Sequence, residues 1–365
     1  MTDSPREDSD HQKQPTEGAI LEALRQVKDP ELGRDIVSMG MIQEIRVRDG
    51  EVSFKFVLTT PACPFRKDLE QQAQQAVLAL PGVREVHAEV GADVRPFQNR
   101  ATGPRPVDGV KNIIAVASNK GGVGKTTVAV NLAVALSKDG AQVGLLDADI
   151  TGPNVPTMVG LPQGFQVESG EGLRPVLRYG TKITSIGFVL PKGTPVVWRG
   201  PMIGKAIDQL LHDMPWAPLD YLIIDLPPGT SDASLSMAQQ APIAGVVIVT
   251  TPQAVSLEDA SKAVGMFDRL NIPIFGVIEN MSYFLCPHCG ERTEIFGHGG
   301  ARQAAEELGL EFLGELPLDV RVRQTGDEGI PIVEADESSP AAAAFMAIAE
   351  KVAARCSVLH FLGSS

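Results

Sequence analysis

A glycine-rich run, residues 118–127, separates an apolar stretch from a helix-like one, and its residue types could cradle a phosphate group. Small residues let backbone N–H groups converge on phosphate oxygens, and the helix that follows presents its positive N-terminus. Lys125 could reach the terminal phosphates of a nucleotide, and Thr126 could ligate Mg²⁺. A glycine-rich loop by itself can be a tight turn, but Gly-Lys-Thr between a strand and a helix favours ATP binding. The predicted nucleotide-binding residues of this run are Asn119, Lys120, Gly121, Gly122, Val123, Gly124, Lys125, Thr126 and Thr127.

The run departs from the general phosphate-loop pattern in two places. Its first position is Asn119 rather than glycine, and asparagine tolerates left-handed backbone. A second lysine, Lys120, lies just inside the loop, and this feature resembles the deviant P-loop class of ParA, MinD and the nitrogenase iron protein. That resemblance implies a homodimer, in which Lys120 reaches the nucleotide of the partner protomer as an arginine finger does.

Three carboxylates follow predicted strands, where the ligands of a parallel sheet gather. Asp147 and Asp149 follow one strand, and Asp225 follows another. By resemblance to the same class, Asp149 orients the attacking water, Asp225 holds Mg²⁺ through water, and Asp147 supports the site. A carboxylate that ends a strand can also cap the next turn, and for Asp147 the two interpretations weigh about equally.

A further set of residues resembles the part of that class which contacts the base. Asn280, at the end of another predicted strand, resembles the asparagine that reads adenine. Pro317 and Asp319 resemble the segment that closes over the base. The resemblance therefore extends the predicted nucleotide site to Asn280, Pro317 and Asp319.

A close cysteine pair, Cys286 and Cys289, lies in a predicted loop and admits three interpretations. A redox dithiol needs its first cysteine at a helix N-terminus, and a loop disfavours it. Zinc suits the spacing, with His288 or His298 nearby, but a second pair is needed to complete a tetrahedral site. In a symmetric dimer, two such loops would supply the four thiolates that a 4Fe-4S cluster requires.

Six ordered motifs together resemble the Mrp family of ATP-binding iron–sulfur carrier proteins, over residues 110–354. The resemblance implies a homodimer that carries a labile 4Fe-4S cluster between the Cys286 and Cys289 side chains of its two protomers. It also implies delivery of that cluster to apo-proteins, with a cluster assembly scaffold as a further partner and with ATP binding or hydrolysis coupled to transfer. The motifs cover residues 119–126, 147–154, 198–202, 225–232, 279–282 and 286–289.

The N-terminal part resembles the small iron–sulfur assembly domain that often precedes this ATPase. The resemblance rests on residues 29–31, 40–42 and 59–64. Cys63 is predicted to open a helix, where the helix dipole favours a thiolate, and it is interpreted as a cluster-handling thiol or metal contact. The alternative for Cys63 is a buried structural thiol. Cys356 has no motif around it and is expected to be an ordinary thiol near the C-terminus.

The elements that position these residues follow from hydrophobic periodicity and from turn residues. Residues 1–16 are predicted to be a disordered lead, 17–94 a small α/β domain, 95–109 a linker and 110–365 a P-loop ATPase domain. The second domain alternates strands with helices, which predicts an α/β fold with a mostly parallel, doubly wound sheet. The predicted helices cover residues 17–27, 65–80 and 126–138, and the predicted strands cover residues 41–47, 52–58, 83–90, 112–118, 142–146, 183–188, 221–224, 245–250, 273–278 and 311–316.

Composition narrows the classes of partner. The 365 residues carry a net charge of −13, which disfavours nucleic acid and anionic lipid as partners. The polar N-terminus and the absence of long apolar runs lead us to expect a cytoplasmic protein without stable membrane association. The rival interpretation is a ParA- or MinD-like positioning ATPase that uses residues 351–362 as a weak amphipathic membrane helix. A reductase like the nitrogenase iron protein is a third interpretation, but its widely separated cluster cysteines have no match here.

Overall fold

The computed structural model describes residues 14–97, 103–150, 152–161, 164, 174–188, 200–229 and 232–363. The chain divides into two compact units, Met1–Val94 and Arg95–Ser365. Several sequence predictions fall outside the described residues: residues 1–13 of the lead, residues 98–102 of the linker, and residues 151, 198, 199, 230 and 231 of the motifs.

The first unit packs two helices against one face of a three-stranded sheet. Strand β2 alternates inward and outward side chains, and its inward residues are buried, as is expected of a sheet with one covered face. The sheet order is β1-β2-β3, with β1 and β2 antiparallel and β2 and β3 parallel. Asp49 and Gly50, with φ of 48° and 82°, form the hairpin turn between β1 and β2. The elements are α1 (Glu17–Leu24), β1 (Ile42–Arg48), β2 (Glu51–Leu58), α2 (Arg66–Leu78) and β3 (Glu85–Ala92).

In the second unit, helices cover a large sheet. Most of the strands of this sheet are apolar for most of their length. The strands are β4 (Val110–Ala117), β5 (Val143–Asp147), β6 (Val176–Arg178), β7 (Thr181–Ser185), β8 (Leu219–Asp225), β9 (Ile243–Thr250), β10 (Ile274–Leu285), β11 (Arg292–Thr293) and β12 (Phe312–Pro317). The helices are α3 (Lys125–Lys138), α4 (Val155–Met158), α5 (Gly200–His212), α6 (Asp232–Gln240), α7 (Ala254–Arg269), α8 (Gly300–Glu307), α9 (Val320–Asp327), α10 (Ile332–Ala335) and α11 (Pro340–Gly363).

The strand order in the described residues is β11-β10-β9-β4-β8-β5-β7-β6, with β12 paired to β10. Neighbours are parallel except at β6–β7 and β10–β11. Every residue of β9 is buried, as expected for a parallel strand covered on both faces. The predicted P-loop α/β fold with a mostly parallel sheet is therefore confirmed. The order also places the ends of β4, β5 and β8 side by side, with Asp147 directly opposite Asp225.

Three predicted elements differ from the structure. The predicted helix over residues 17–27 ends at Leu24, and a turn follows it. The predicted strand over residues 183–188 is β7 followed by a 3-10 helix, Ile186–Phe188. The predicted strand over residues 273–278 is the long β10, which continues to Leu285. In the sequence, polar residues in the middle of β10 look like the end of a strand. In the fold, their side chains form hydrogen bonds with other elements.

The C-terminal segment packs as ordinary core. Helix α11 lies against α3 and β12, and buries Val352, Ala353 and Phe361. None of the helices among the described residues combines the length and the apolar character that a membrane crossing requires.

Candidate functional site

The glycine-rich run forms a tight loop between β4 and α3, at the C-terminal edge of the sheet. Gly122 and Gly124 have φ of 82° and 80°, in the left-handed region that glycine adopts without strain. A Cβ atom at Gly124 would collide with the side-chain amide of Asn280. Glycine is therefore required at position 124 both by backbone conformation and by space.

Lys125 and Thr126, at the start of α3, both contact Asp225 at the end of β8. The Lys125 ammonium forms an ion pair with Asp225 Oδ1, and the Thr126 hydroxyl donates to Oδ2 at 2.7 Å. The Lys125 and Asp225 side chains are 6% and 1% exposed. Burial raises the pKa of Asp225, and the contacts with Lys125 and Thr126 oppose that rise. The loop, α3 and β8 are thus joined by one buried polar cluster.

Asp147 is fully buried at the end of β5 and organises the residues that follow it. Its Oδ1 accepts from the backbone N–H of Asp149 at 3.1 Å. Its Oδ2 accepts from the Ser185 hydroxyl at 2.9 Å and from the N–H of Val155 at 3.3 Å. Burial, with Asp225 beside it, raises the pKa of Asp147 to about 8. These contacts tie Asp147 to Ser185 of β7 and to the segment after β5, while Asp149 lines the cavity described below.

Asn280 lies in the middle of β10, and its predicted position at a strand end is wrong. Its side-chain amide donates to the backbone oxygen of Val123 at 2.8 Å, which ties β10 to the phosphate loop. The next residue, Met281, has φ of 55°, an unusual conformation for a residue with a side chain. Asn280 therefore lies beside the loop, as expected of a residue that contacts the nucleotide.

A cavity of about 590 Å³ opens above the loop and brings most of the predicted site residues together. From the predicted set it is lined by Lys120, Gly121, Gly122, Gly124, Lys125, Thr126, Thr127, Asp149, Asn280, Pro317 and Asp319. Asn119, Val123 and Asp225 are not part of the lining; Val123 is buried beneath the loop, and Asp225 lies behind Lys125. Asp319 also accepts from the N–H of Arg321 at 2.7 Å and so caps α9.

Sequence reasoning missed the opposite wall of this cavity. That wall comes from α4, from α9 and from the residue after Asn280, and its members are Asn154, Thr157, Met158, Met281, Val322, Arg323, Gly326 and Asp327. The α9 members recur at helical spacing directly after the N-cap residue Asp319. That periodicity was a signal in the sequence that could have extended the predicted site into α9.

Cys286 and Cys289 lie in the turn between β10 and β11, as the sequence predicted for a loop. The N–H of Cys286 donates to the Glu291 oxygen at 2.9 Å, and the N–H of Gly290 donates to the Cys286 oxygen at 2.8 Å. Backbone N–H groups of Cys289 and His288, with the Cys289 thiol, lower the pKa of Cys286. Cys286 is half-buried and Cys289 exposed. The turn therefore presents two accessible thiols, and the pKa of one of them, Cys286, is lowered.

The cysteine turn is braced from one side by Arg292. Its guanidinium pairs with Glu315 at 3.0 Å and lies 4.0 Å from the ring centroid of Tyr283. No group of three or more histidine, cysteine, aspartate or glutamate side chains in the described part of the chain could hold a metal ion. The cysteine pair thus offers two thiolate ligands from one chain.

The other two cysteines lie elsewhere. Cys63 precedes α2 by three residues, because the helix begins only at Arg66. The expectation that Cys63 opens the helix is therefore wrong, and the helix-dipole reason for a thiolate there is lost. Cys356 is buried in α11, and burial raises the pKa of its thiol to about 12. Cys356 is thus a packed structural thiol.

The fold and the loop define a P-loop NTPase. A family model described as NUBPL iron-transfer P-loop NTPase matches residues 109–353, and a second model, iron–sulfur cluster assembly protein, matches residues 17–90. The chain belongs to this iron-transfer P-loop NTPase family, preceded by a domain of the assembly family. The resemblance to the Mrp family and to the assembly domain is thereby confirmed.

Named relatives and solved structures agree with this assignment. An iron–sulfur cluster carrier protein of Synechocystis sp. is 48% identical over 94% of this chain and 98% of its own length. One of Escherichia coli K12 is 37% identical over 92% of this chain and 91% of its own. A nucleotide-binding protein of Archaeoglobus fulgidus, solved with ADP, is 42% identical with a TM-score of 0.56, over 64% of this chain and 91% of its own. MinD of Pyrococcus furiosus shows the shared fold. It is 24% identical, with a TM-score of 0.50, over 66% of this chain and 98% of its own.

Proposed function

We propose that this chain is an ATP-hydrolysing carrier of iron–sulfur clusters. It holds a cluster on Cys286 and Cys289, receives it from an assembly scaffold and delivers it to apo-proteins. The observation that carries the proposal is the pair of accessible thiols in the same unit as a phosphate loop and its cavity. The names of the full-length relatives, iron–sulfur cluster carrier proteins, support it.

The residues around the loop take distinct roles in binding and hydrolysing ATP. Backbone N–H groups of residues 119–127 cradle the phosphates, and Lys125 leaves Asp225 to pair with the terminal phosphates. Asp149 orients the attacking water. Asn280 reads the adenine, and residues 317–319 close over the base.

The donor set beside the loop fits a magnesium ion. The Thr126 hydroxyl and the Asp225 carboxylate converge within 2.7 Å of each other, and oxygen ligands are those that Mg²⁺ prefers. Thr126 would bind the ion directly, and Asp225 would hold it through water. When bound, Mg²⁺ neutralises the charge that develops on the phosphates during hydrolysis.

The active form is a homodimer. A 4Fe-4S cluster requires four ligands and one chain brings two thiols in this turn, so two copies complete the set. Lys120 is exposed at the cavity rim, where it can reach the nucleotide of a partner protomer. The catalytic residues proposed are thus Lys120, Lys125 and Asp149. Cys63, in the N-terminal domain, is a third thiol that handles the cargo, and the match of residues 17–90 to the assembly family supports this role.

Anaerobic reconstitution with ferrous iron and sulfide tests the cargo assignment. The wild type should bind about four irons per dimer and show the broad visible absorbance of thiolate-ligated clusters. The double variant Cys286→Ala/Cys289→Ala should lose the iron, while the matched control Cys356→Ala should keep it. Stoichiometric zinc without iron-dependent colour in the wild type, or full iron in the double variant, would refute cluster carriage by these thiols.

The catalytic assignment has its own measurement. Asp149→Ala should abolish ATP turnover, because the attacking water loses its orienting carboxylate, and should leave the reconstituted iron content unchanged. Turnover at the wild-type rate in Asp149→Ala would show that another group orients the water.

A further inference from the structure

Two cavities of the second unit share one wall. The first is the cavity of about 590 Å³ above the phosphate loop, and the second, of about 550 Å³, lies beside Cys286. Residues 317–319 line both cavities, and we refer to them as the shared wall. Because the same three residues line both cavities, a displacement of the shared wall changes both cavities together.

Strand β10 also runs from one cavity to the other. Asn280 lines the first cavity and Cys286 the second, six residues further along, or about 20 Å of extended chain. The shared wall is attached between these two points: the N–H of Leu318 donates to the Tyr283 oxygen at 2.7 Å, and Pro317 pairs with Tyr283 in the sheet register. A movement at Asn280 is therefore transmitted to the wall and to the cysteine turn by continuous backbone.

A buried anchor and an unusual backbone conformation flank Asn280 in β10. Glu279 is fully buried, and accepts from the Ser282 hydroxyl at 2.6 Å and from the N–H of Ala301 at 2.8 Å, which anchors it to α8. Just beyond this anchor, Met281 has φ of 55°, and the pairing with β12 shifts register between Glu279 and Tyr283. Positive φ at a residue with a side chain is an uncommon backbone conformation. Asn280 thus lies between a buried anchor, Glu279, and this unusual conformation at Met281.

We infer that Leu318 is a positioning residue that makes the exposure of Cys286 depend on nucleotide occupancy. The Asn280 amide donates to the Val123 oxygen, and a base bound beside Asn280 would compete for that amide. The exchange displaces β10 beyond its anchor, and the side chain of Leu318 passes the displacement to the cavity beside Cys286. The inference rests on the proposed function for the identity of the two ligands. By linkage, nucleotide and cargo bound on Cys286 change each other's binding affinity by the same factor.

The test uses the full chain without metal, so that it does not depend on cluster loading. The rate at which iodoacetamide labels Cys286 is measured by peptide mass spectrometry, with and without saturating Mg·ADP. We expect the rate in the wild type to change at least about fivefold, the lower end of usual coupling between sites. Leu318→Ala should reduce the change to less than about twofold, and Leu318→Met, which keeps the volume of the side chain, should retain it.

A neighbour provides a matched control, because it lines only the second of the two cavities. Val320 lines the cavity beside Cys286. Val320→Ala should keep the wild-type response to Mg·ADP. A wild-type labelling rate that ADP leaves unchanged, or an undiminished response in Leu318→Ala, would overturn the inference. Iron content is measured on a separate reconstituted sample, so a failure of cluster carriage is distinguishable from a failure of coupling.

Discussion

Removing the charge of Lys125 should destabilise the nucleotide-free protein, apart from any effect on catalysis. The change Lys125→Met keeps the apolar stem and deletes the ammonium group. Asp225, 1% exposed, then loses its cation and retains one hydrogen bond from Thr126. Breaking a buried pair on one side costs about 3–5 kcal/mol. We expect the low end, about 3 kcal/mol, because Asp225 can take up a proton once Lys125 is gone.

That proton uptake gives the penalty a definite pH dependence. Without the ammonium group, the folded-state pKa of Asp225 lies further above its unfolded value, since burial already raises it. A carboxyl group with a raised folded-state pKa contributes stability at low pH that is lost as the pH rises through that pKa. The penalty of Lys125→Met should therefore be larger at pH 8 than at pH 5.

Urea unfolding followed by tryptophan fluorescence measures this penalty in the second structural unit, which contains Lys125. Both tryptophans, Trp198 and Trp216, belong to the second unit, and Trp216 is fully buried. Lys138→Ala is the matched control, because its partners Glu334 and Glu337 are 38% and 74% exposed and surface pairs are worth at most about 1 kcal/mol. The double variant Lys125→Met/Asp225→Asn should recover most of the loss. A single variant within about 0.5 kcal/mol of the wild type would refute the reasoning, given the usual cost of an unpaired buried charge.

Three further predictions have definite expected outcomes. Gly124→Ala should weaken ADP binding at least about tenfold in a fluorescence titration, because φ of Gly124 is 80° and a methyl group there collides with the side-chain amide of Asn280. Gly121→Ala should not weaken it, because there is open space around Gly121. Asp139→Asn should raise the melting temperature more at pH 8 than at pH 5. The reason is that burial raises the pKa of Asp139 to about 6 and that, within the described residues, its Oδ2 lacks a hydrogen-bond partner. Equal shifts of the melting temperature at the two pH values would contradict this. At pH 7.5, iodoacetamide should label Cys286 well before Cys356, because the pKa of the first thiol is lowered and that of the second raised to about 12; similar rates would contradict this.

The phosphate loop could be predicted from the sequence because its determinants are local. Residues 118–127 carry glycine at both positions with positive φ, 122 and 124, and Lys125 and Thr126 start the helix that the spacing predicts. The carboxylates could also be placed at one edge of the sheet, since parallel strands end together. Their mutual register, with Asp147 opposite Asp225, needed the strand order, which the sequence does not encode locally.

The length of β10 and the far wall of the cavity could not be predicted from local patterns. Glu279 and Ser282 look like the end of a strand, because polar residues usually mark one. Glu279 is nevertheless buried, since its carboxylate accepts from Ala301, more than twenty residues away in the chain. Arg323 and Asp327 belong to a helix whose periodicity is visible, but which side of that helix meets the cavity depends on packing against α4 and α10. Long-range partners decided both cases.

The polar groups of the site bond to one another, and this determines how ligands must enter it. Lys125 and Thr126 occupy the two oxygens of Asp225, and Asn280 occupies the Val123 oxygen. A nucleotide that draws Lys125 away leaves a buried carboxylate facing phosphates, which is unfavourable unless a cation takes the place of the ammonium group. Mg²⁺ without nucleotide meets the opposite difficulty, because Lys125 remains beside the carboxylate. Nucleotide and Mg²⁺ should therefore bind with positive cooperativity, with an ADP dissociation constant that rises steeply when Mg²⁺ is chelated.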